Sequence, residues 1–276
     1  MGHTTFTFQS NRQEIFAQIW EPDSSPKAVI CHAHGHGDHS GRYAHIAEAF
    51  VEEGIAFMAL DHYGHGHTKG KRGHAPSYEA MLDSIGHLLT EAENRFPGVP
   101  RFLYGHSTGG AMVLNYAIKR NPDIQGIIST SPWLTLKIKP STTQLTLAKV
   151  MINIYPSFTQ PTKLPAESIS SDPEEVRRYA EDPMVHDSMS PVFFFGSYEA
   201  GLWVLEHAAE LKHPLLIMHG TGDQVTSCES SEEFAQKAGS SDITWKPWEG
   251  MLHEIHNEPG KKEVIDTMIH WVKERI

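Results

Sequence analysis

Residues 101–114, RFLYGHSTGGAMVL, constrain this chain more than any other stretch. RFLYG has strand character, and it runs through Gly105-His106-Ser107-Thr108-Gly109 straight into a segment of helical character. A strand that turns so abruptly into a helix begins a strand–helix–strand crossover. That unit belongs to parallel sheets covered on both faces. The glycines follow from crowding: Ser107 has to sit at a tight, strained turn, and side chains at 105 or 109 would meet neighbouring backbone. A serine so placed is a candidate nucleophile, with a helix N-terminus beneath it that favours developing negative charge. A glycine-rich turn with an N-capping serine is the plainer alternative.

The rest of the chain keeps the same rhythm. Thr5–Phe8 and Glu14–Trp20 alternate as two short strands, and KAVICHA reads as a buried strand from its continuous apolar run. Tyr43, Ile46, Ala47 and Phe50 recur at helical spacing within 42–53. Strand IAFMALD, helix 78–94, strand RFLYG, helix 108–120 and strand IQGIIST follow. After an interruption come helix 198–211, strand PLLIMHG, helix 227–238, strand ITWKPW and helix 258–275. Such alternation predicts an α/β fold with a doubly wound, mostly parallel sheet.

The interruption, residues 134–195, contains Pro140, Pro156, Pro161 and Pro165 and breaks the alternation. It is expected to be an inserted cap on a core made of 1–133 and 196–276. Within it, STTQLTLAKVMINIY carries a narrow polar stripe at Thr142, Thr146, Lys149 and Asn153 on an otherwise apolar helix. Either that helix packs on several sides inside the cap, or its apolar arc lines a greasy channel and meets a membrane surface.

A serine nucleophile needs a base, and the base an orienting acid. On an α/β-hydrolase sheet these follow in the order serine, acid, histidine. Asp223, in the loop after PLLIMHG, and His253, in the loop after ITWKPW, stand where an open α/β sheet puts its site. His256 is the second candidate base; Asp61 precedes Ser107 and breaks the order.

One motif pulls elsewhere. His34-Gly35-His36-Gly37-Asp38-His39 spells the H-x-H-x-D-H loop of metallo-β-lactamase-type hydrolases, and His62, His65 and His67 form a second histidine-rich turn. The same loop, placed after the third strand, fits the second oxyanion donor of a serine hydrolase, its glycines freeing backbone N–H groups. The zinc reading leaves Ser107, Asp223 and His253 without purpose, so no metal or organic cofactor is expected.

Composition narrows the partners. A net charge of −11 and a pI near 5.9 exclude a polyanion-binding surface, hence nucleic acid. Two cysteines make no disulfide framework, the first residues lack a basic-then-apolar leader, and no apolar run approaches the length of a membrane span. A cytoplasmic protein, peripheral at membranes at most, is expected.

HGHGDHSGRY, DHYGHGHTKGKRG, GHSTGG, STSPWL, RRYAEDPM, HGTGDQV and EGMLHEIHNE, in that order, resemble the monoacylglycerol lipase group of serine α/β-hydrolases over nearly the whole chain. The resemblance implies an eight-stranded α/β-hydrolase core with an inserted helical cap, and hydrolysis of a fatty-acid monoester of glycerol. By the same resemblance Ser107, Asp223 and His253 form the catalytic triad. The backbone N–H groups of His36 and Thr108 form the oxyanion hole, and Asp38, Arg42, Tyr179 and His256 the glycerol pocket. Thr108 stands where the group commonly has Met, and His36 where it often has a small residue. Rival readings are a lysophospholipase or general carboxylesterase with the same triad, a zinc hydrolase, and a noncatalytic binding module.

Overall fold

A computed structural model describes residues 1–276. The first half runs β1 (Gly2–Ser10), β2 (Gln13–Glu21), β3 (Val29–Ala33), α1 (Ala44–Glu52), β4 (Ala56–Leu60), α2 (Tyr78–Arg95), β5 (Arg101–His106), α3 (Thr108–Arg120) and β6 (Gly126–Thr130). Next come α4 (Thr142–Ile154), β7 (Gln160–Pro161), α5 (Pro173–Glu181), β8 (Ser188–Met189) and α6 (Pro191–Glu206). The chain closes with β9 (Leu215–Gly220), α7 (Cys228–Lys237), β10 (Ile243–Trp248) and α8 (Lys261–Lys273).

Eight of these strands form one sheet in the order β1-β2-β4-β3-β5-β6-β9-β10. β1 and β2 are an antiparallel hairpin, β2 joins β4 antiparallel, and every later pair is parallel. Alternate residues of the central strands enter two cores, as the two-residue pleat requires. Val29, Met58, Leu103 and Ile217 pack under α2, α3, α6 and α7, whereas Ile30, Phe57, Tyr104 and Met218 pack under α1 and α8. Because all the central strands point the same way, their carboxyl ends, and the loops that follow, gather along one rim.

The inserted segment differs from its sequence reading in two places. Ser190 accepts a hydrogen bond from Phe193 N as an N-cap, and Pro191 sits in the first turn, so α6 begins at Pro191 and runs through the aromatic residues PVFFF. The expected boundary at 195/196 therefore falls inside α6. That helix also ends at Glu206, where a 3-10 turn (Ala208–Glu210) takes over. In α4 no residue is buried, although it packs against α6, and Leu147 and Ile154 are 60% and 72% exposed. A helix packed on several sides is excluded. No helix is long and apolar enough to cross a membrane. Cys31 and Cys228 are both free thiols.

Candidate active site

Ser107 lies between β5 and α3 with φ 55° and ψ −118°, a backbone state that L-residues rarely adopt. The surroundings enforce it: a Cβ on Gly105 would collide with Gly109 O, and one on Gly109 with Ala33 O. The turn is locked by Ser107 N donating to Thr130 O at 2.9 Å and Ser107 O accepting from Trp133 N at 2.9 Å.

Three loops converge on this turn. His253 Nε2 lies 2.9 Å from Ser107 Oγ, and His253 Nδ1 lies 2.7 Å from Asp223 Oδ2. Asp223 is held from its other side by the amides of Val225 and Thr226, at 2.6 and 3.1 Å to Oδ1. Burial pushes the Asp223 carboxyl up, but the charges and hydrogen bonds of His253 and His219 more than reverse this and hold it well below the usual range. Burial lowers His253, yet the adjacent Asp223 carboxylate raises it on balance above its ordinary value. His219 was not singled out in the sequence. Its Nε2 sits 2.9 Å from Asp223 Oδ2 and its Nδ1 2.7 Å from Ser231 Oγ, so Asp223 carries a second imidazole.

The loop after β3 passes against the elbow: a Cβ on Gly35 would lie 3.1 Å from Ser107 Cβ. Gly37 has φ 78°, and a Cβ there would strike His186 O. Gly35 thus lets the loop that carries His36 pass against Ser107. Thr108, as first residue of α3, presents one of the unpaired N–H groups of a helix N-terminus.

Of the four expected pocket residues, three cluster. Arg42 lays its guanidinium over the Tyr179 ring at 4.9 Å and reaches Asp38 Oδ1 at 3.1 Å. Its main partner is one the sequence reading missed: Glu254, gripped by Nη1 and Nη2 at 2.8 and 2.7 Å. Burial pushes Glu254 up, but Arg42 overcomes this and holds its carboxyl down at about 2; burial keeps Asp38 raised despite Arg42. A cavity of about 550 Å³ is lined by Arg42, His45, Glu175 and Asp182, and another of about 260 Å³ by His36, Tyr179, Asp182 and His186. His256 lines neither. It is buried with its ring 4.7 Å from that of His106 and 5.1 Å from that of Tyr43.

The zinc-like spelling of the first loop does not become a cluster. His34 Nδ1 pairs with Gly35 O at 2.7 Å and its Nε2 accepts from His62 N at 3.0 Å. His39 Nε2 is 2.9 Å from Asp182 Oδ2, and Asp38 is taken by Arg42 and Tyr43. Only His36 turns elsewhere, towards His65 and His186. Asp61 caps its own loops, accepting from Ser40 N and His67 N, both at 2.7 Å, and does not meet the triad.

Comparison with known proteins places this geometry. The model of the serine aminopeptidase S33 family matches residues 24–260. An abhydrolase domain-containing protein of Dictyostelium discoideum is 35% identical over 97% of this chain, which spans 28% of that relative's length. A monoacylglycerol lipase of Mycolicibacterium smegmatis is 33% identical over 94% of this chain and 92% of its own. The crystal structure of a monoacylglycerol lipase from Paleococcus ferrophilus superposes with a TM-score of 0.88 and 31% identity, over 95% of this chain and all of that one.

Proposed function

The chain belongs to the serine hydrolase family that the S33 model describes and stands there with the monoacylglycerol lipases, and from that membership we propose that it splits monoacylglycerols into fatty acid and glycerol through an acyl-enzyme on Ser107. One observation carries the proposal: the unbroken chain Ser107 Oγ–His253 Nε2 and His253 Nδ1–Asp223 Oδ2, at 2.9 and 2.7 Å, on a backbone turn that exposes the hydroxyl. In the first step Ser107 Oγ attacks the ester carbonyl as its proton passes to His253 Nε2. Asp223 keeps the imidazole in the tautomer that accepts there and stabilises the imidazolium that forms. The His36 and Thr108 amides hold the tetrahedral oxyanion, each contributing about 3 kcal/mol to transition-state binding. The C–O bond then breaks and His253 returns the proton to the departing glycerol oxygen. Water repeats the sequence on the acyl-enzyme, releasing the fatty acid and freeing Ser107.

Asp38, Arg42 and Tyr179 form the polar end of the substrate site. Glu254 fixes the Arg42 guanidinium, and so the direction in which Arg42 and Tyr179 present their polar edges. The inserted segment from residue 134 to the start of α6 at Pro191 acts as the cap. The outward apolar residues of α4, Leu147, Val150 and Ile154, with Tyr155 and Phe158 after them, suit transient contact with a lipid surface, where a monoacylglycerol resides.

Ser107→Ala tests the reading. Turnover of a monoacylglycerol should fall by about 10⁴-fold or more while the thermal melt is unchanged. Covalent labelling by an organophosphorus reagent should disappear with it. Retained turnover refutes the mechanism. A panel of a monoacylglycerol, a lysophospholipid and a short aryl ester identifies the alcohol, and preference for either of the other two replaces the glycerol assignment.

A further inference from the structure

Three histidines remote in sequence meet beside the oxyanion loop, and their rings have no part in the mechanism above: His36 after β3, His65 after β4 and His186 before β8. One ring nitrogen from each lies within 4.8 Å of the other two. The rings face one another from three directions, His36 at 81° and 88° to the planes of His65 and His186. Their hydrogen bonding leaves at least one ring nitrogen of each free to offer a lone pair. His65 Nδ1 donates to Tyr63 O at 2.8 Å, and its Nε2 is buried with no partner on a residue that is 0% exposed. His36 Nε2 donates to Ser188 O at 2.9 Å, which leaves Nδ1 as the lone-pair nitrogen. Neither buried ring nitrogen of His186 makes a hydrogen bond of good geometry, although the carbonyls of Gly64 and Ser188 lie beside the ring.

Backbone carbonyls that take up the outer N–H, so fixing the tautomer and aiming the inner nitrogen, are what metal-bound histidines use. An unpaired buried ring nitrogen is costly in any other role. We propose that His36, His65 and His186 form a binding site for a divalent d-block cation of the zinc class.

Tetrahedral zinc holds its ligand nitrogens about 3.4 Å apart, so the rings need to close by about 1.4 Å at most, within reach of side-chain rotation. His36 and His186 also line the cavity of about 260 Å³, from which a fourth ligand would enter. Asp182 and Asp187 line it too and bring negative charge, against the Arg72 guanidinium that also acts on His186. The ion is regulatory rather than catalytic. The segment carrying His186 is already fastened to the oxyanion loop, through His186 N donating to Gly37 O at 3.0 Å and the His36–Ser188 bond. Ligation ties both to the turn after β4, holding the cap segment down on the oxyanion loop, so the ion lowers turnover.

Cobalt(II) titration of the full chain reads coordination directly and does not depend on the catalytic assignment. The expected result is an intense tetrahedral-type visible absorption that saturates at one ion per chain and is displaced by zinc(II). His65→Gln and His186→Gln should each weaken binding at least about tenfold, the lower end of what even an outer partner of a metal ligand is worth. The His186 ring is only partly buried on its loop, so if the buried His65 variant misfolds, His186→Gln decides alone. Zinc(II) should slow ester hydrolysis in the parent chain, reversibly with a chelator, and much less in His186→Gln. No saturable cobalt spectrum, affinity unchanged in a folded variant, or zinc inhibition undiminished in His186→Gln (which would put the ion on His253) overturns the proposal.

Discussion

Replacing Arg42 by Met keeps the length of the side-chain stem and deletes the guanidinium. Its side chain is 10% exposed and those of Asp38 and Glu254 4% each, so the change leaves two buried carboxylates facing each other without a cation. Removing one partner of a buried ion pair destabilises by about 3–5 kcal/mol. The Glu254 carboxyl, held at about 2 against an ordinary 4.5, corresponds independently to about 3 kcal/mol of stabilisation at neutral pH. At about 2.1 cal/mol/K per residue, unfolding 276 residues gains about 0.58 kcal/mol/K, so Tm should fall by about 5–9 °C. The pH dependence supplies a second check. Because the folded pKa of Glu254 lies below the unfolded one, its contribution is complete above about pH 4.5 and is lost as pH falls towards 2. The parent chain therefore weakens on acidification, while in Arg42→Met the unpaired carboxylates are relieved by protonation. Calorimetry should show a smaller gap between the two proteins at pH 4 than at pH 8. The double variant Arg42→Met/Glu254→Gln should melt above the level that the two single losses sum to. A Tm loss under 2 °C, a gap independent of pH, or strict additivity would refute the view that the fork neutralises a buried charge.

Asp223→Asn should lower kcat by about 10³–10⁴-fold with the fold intact. His253 is raised by Asp223 and must be neutral to accept a proton, so the kcat/KM of the parent chain should rise with pH through a midpoint above 6.5; in the variant's residual activity that midpoint should move down, which a pH–rate profile reads directly. Gly109→Ala puts a methyl group against Ala33 O; unfolding by urea should show a loss of about 1–3 kcal/mol, together with a lower kcat as β3 and the oxyanion loop are pushed back. Leu147→Ser/Ile154→Ser should reduce co-sedimentation with phospholipid vesicles and leave hydrolysis of a dispersed short-chain ester unchanged; equal sedimentation would remove α4 from any lipid contact.

Much of this site could be read along the chain because its features are local. The glycines flanking Ser107 declare a backbone that tolerates no Cβ, and strand–helix periodicity declares a parallel sheet whose loops share a rim. Given that rim, the order Ser107, Asp223, His253 already implies a meeting. Element starts were less visible where a cap competed with composition: PVFFF looked like the end of an irregular segment until Ser190 capped it.

Convergence of side chains was another matter. The spelling HGHGDH suggests four groups acting together, yet the fold sends His34 to His62, His39 to Asp182 and Asp38 to Arg42, and gives His36 alone to His65 and His186. Glu254 follows His253 in sequence, but nothing local says that it reaches back across 212 positions to Arg42. The sequence by itself determined the sheet, the strained turn and the order of the reacting groups, since these depend on sterics and periodicity within a few residues. Only the tertiary structure decided which histidines share a space, which carboxylate holds the arginine and that α4 lies exposed. Those depend on how far apart the crossovers set their loops, a distance that no local pattern encodes.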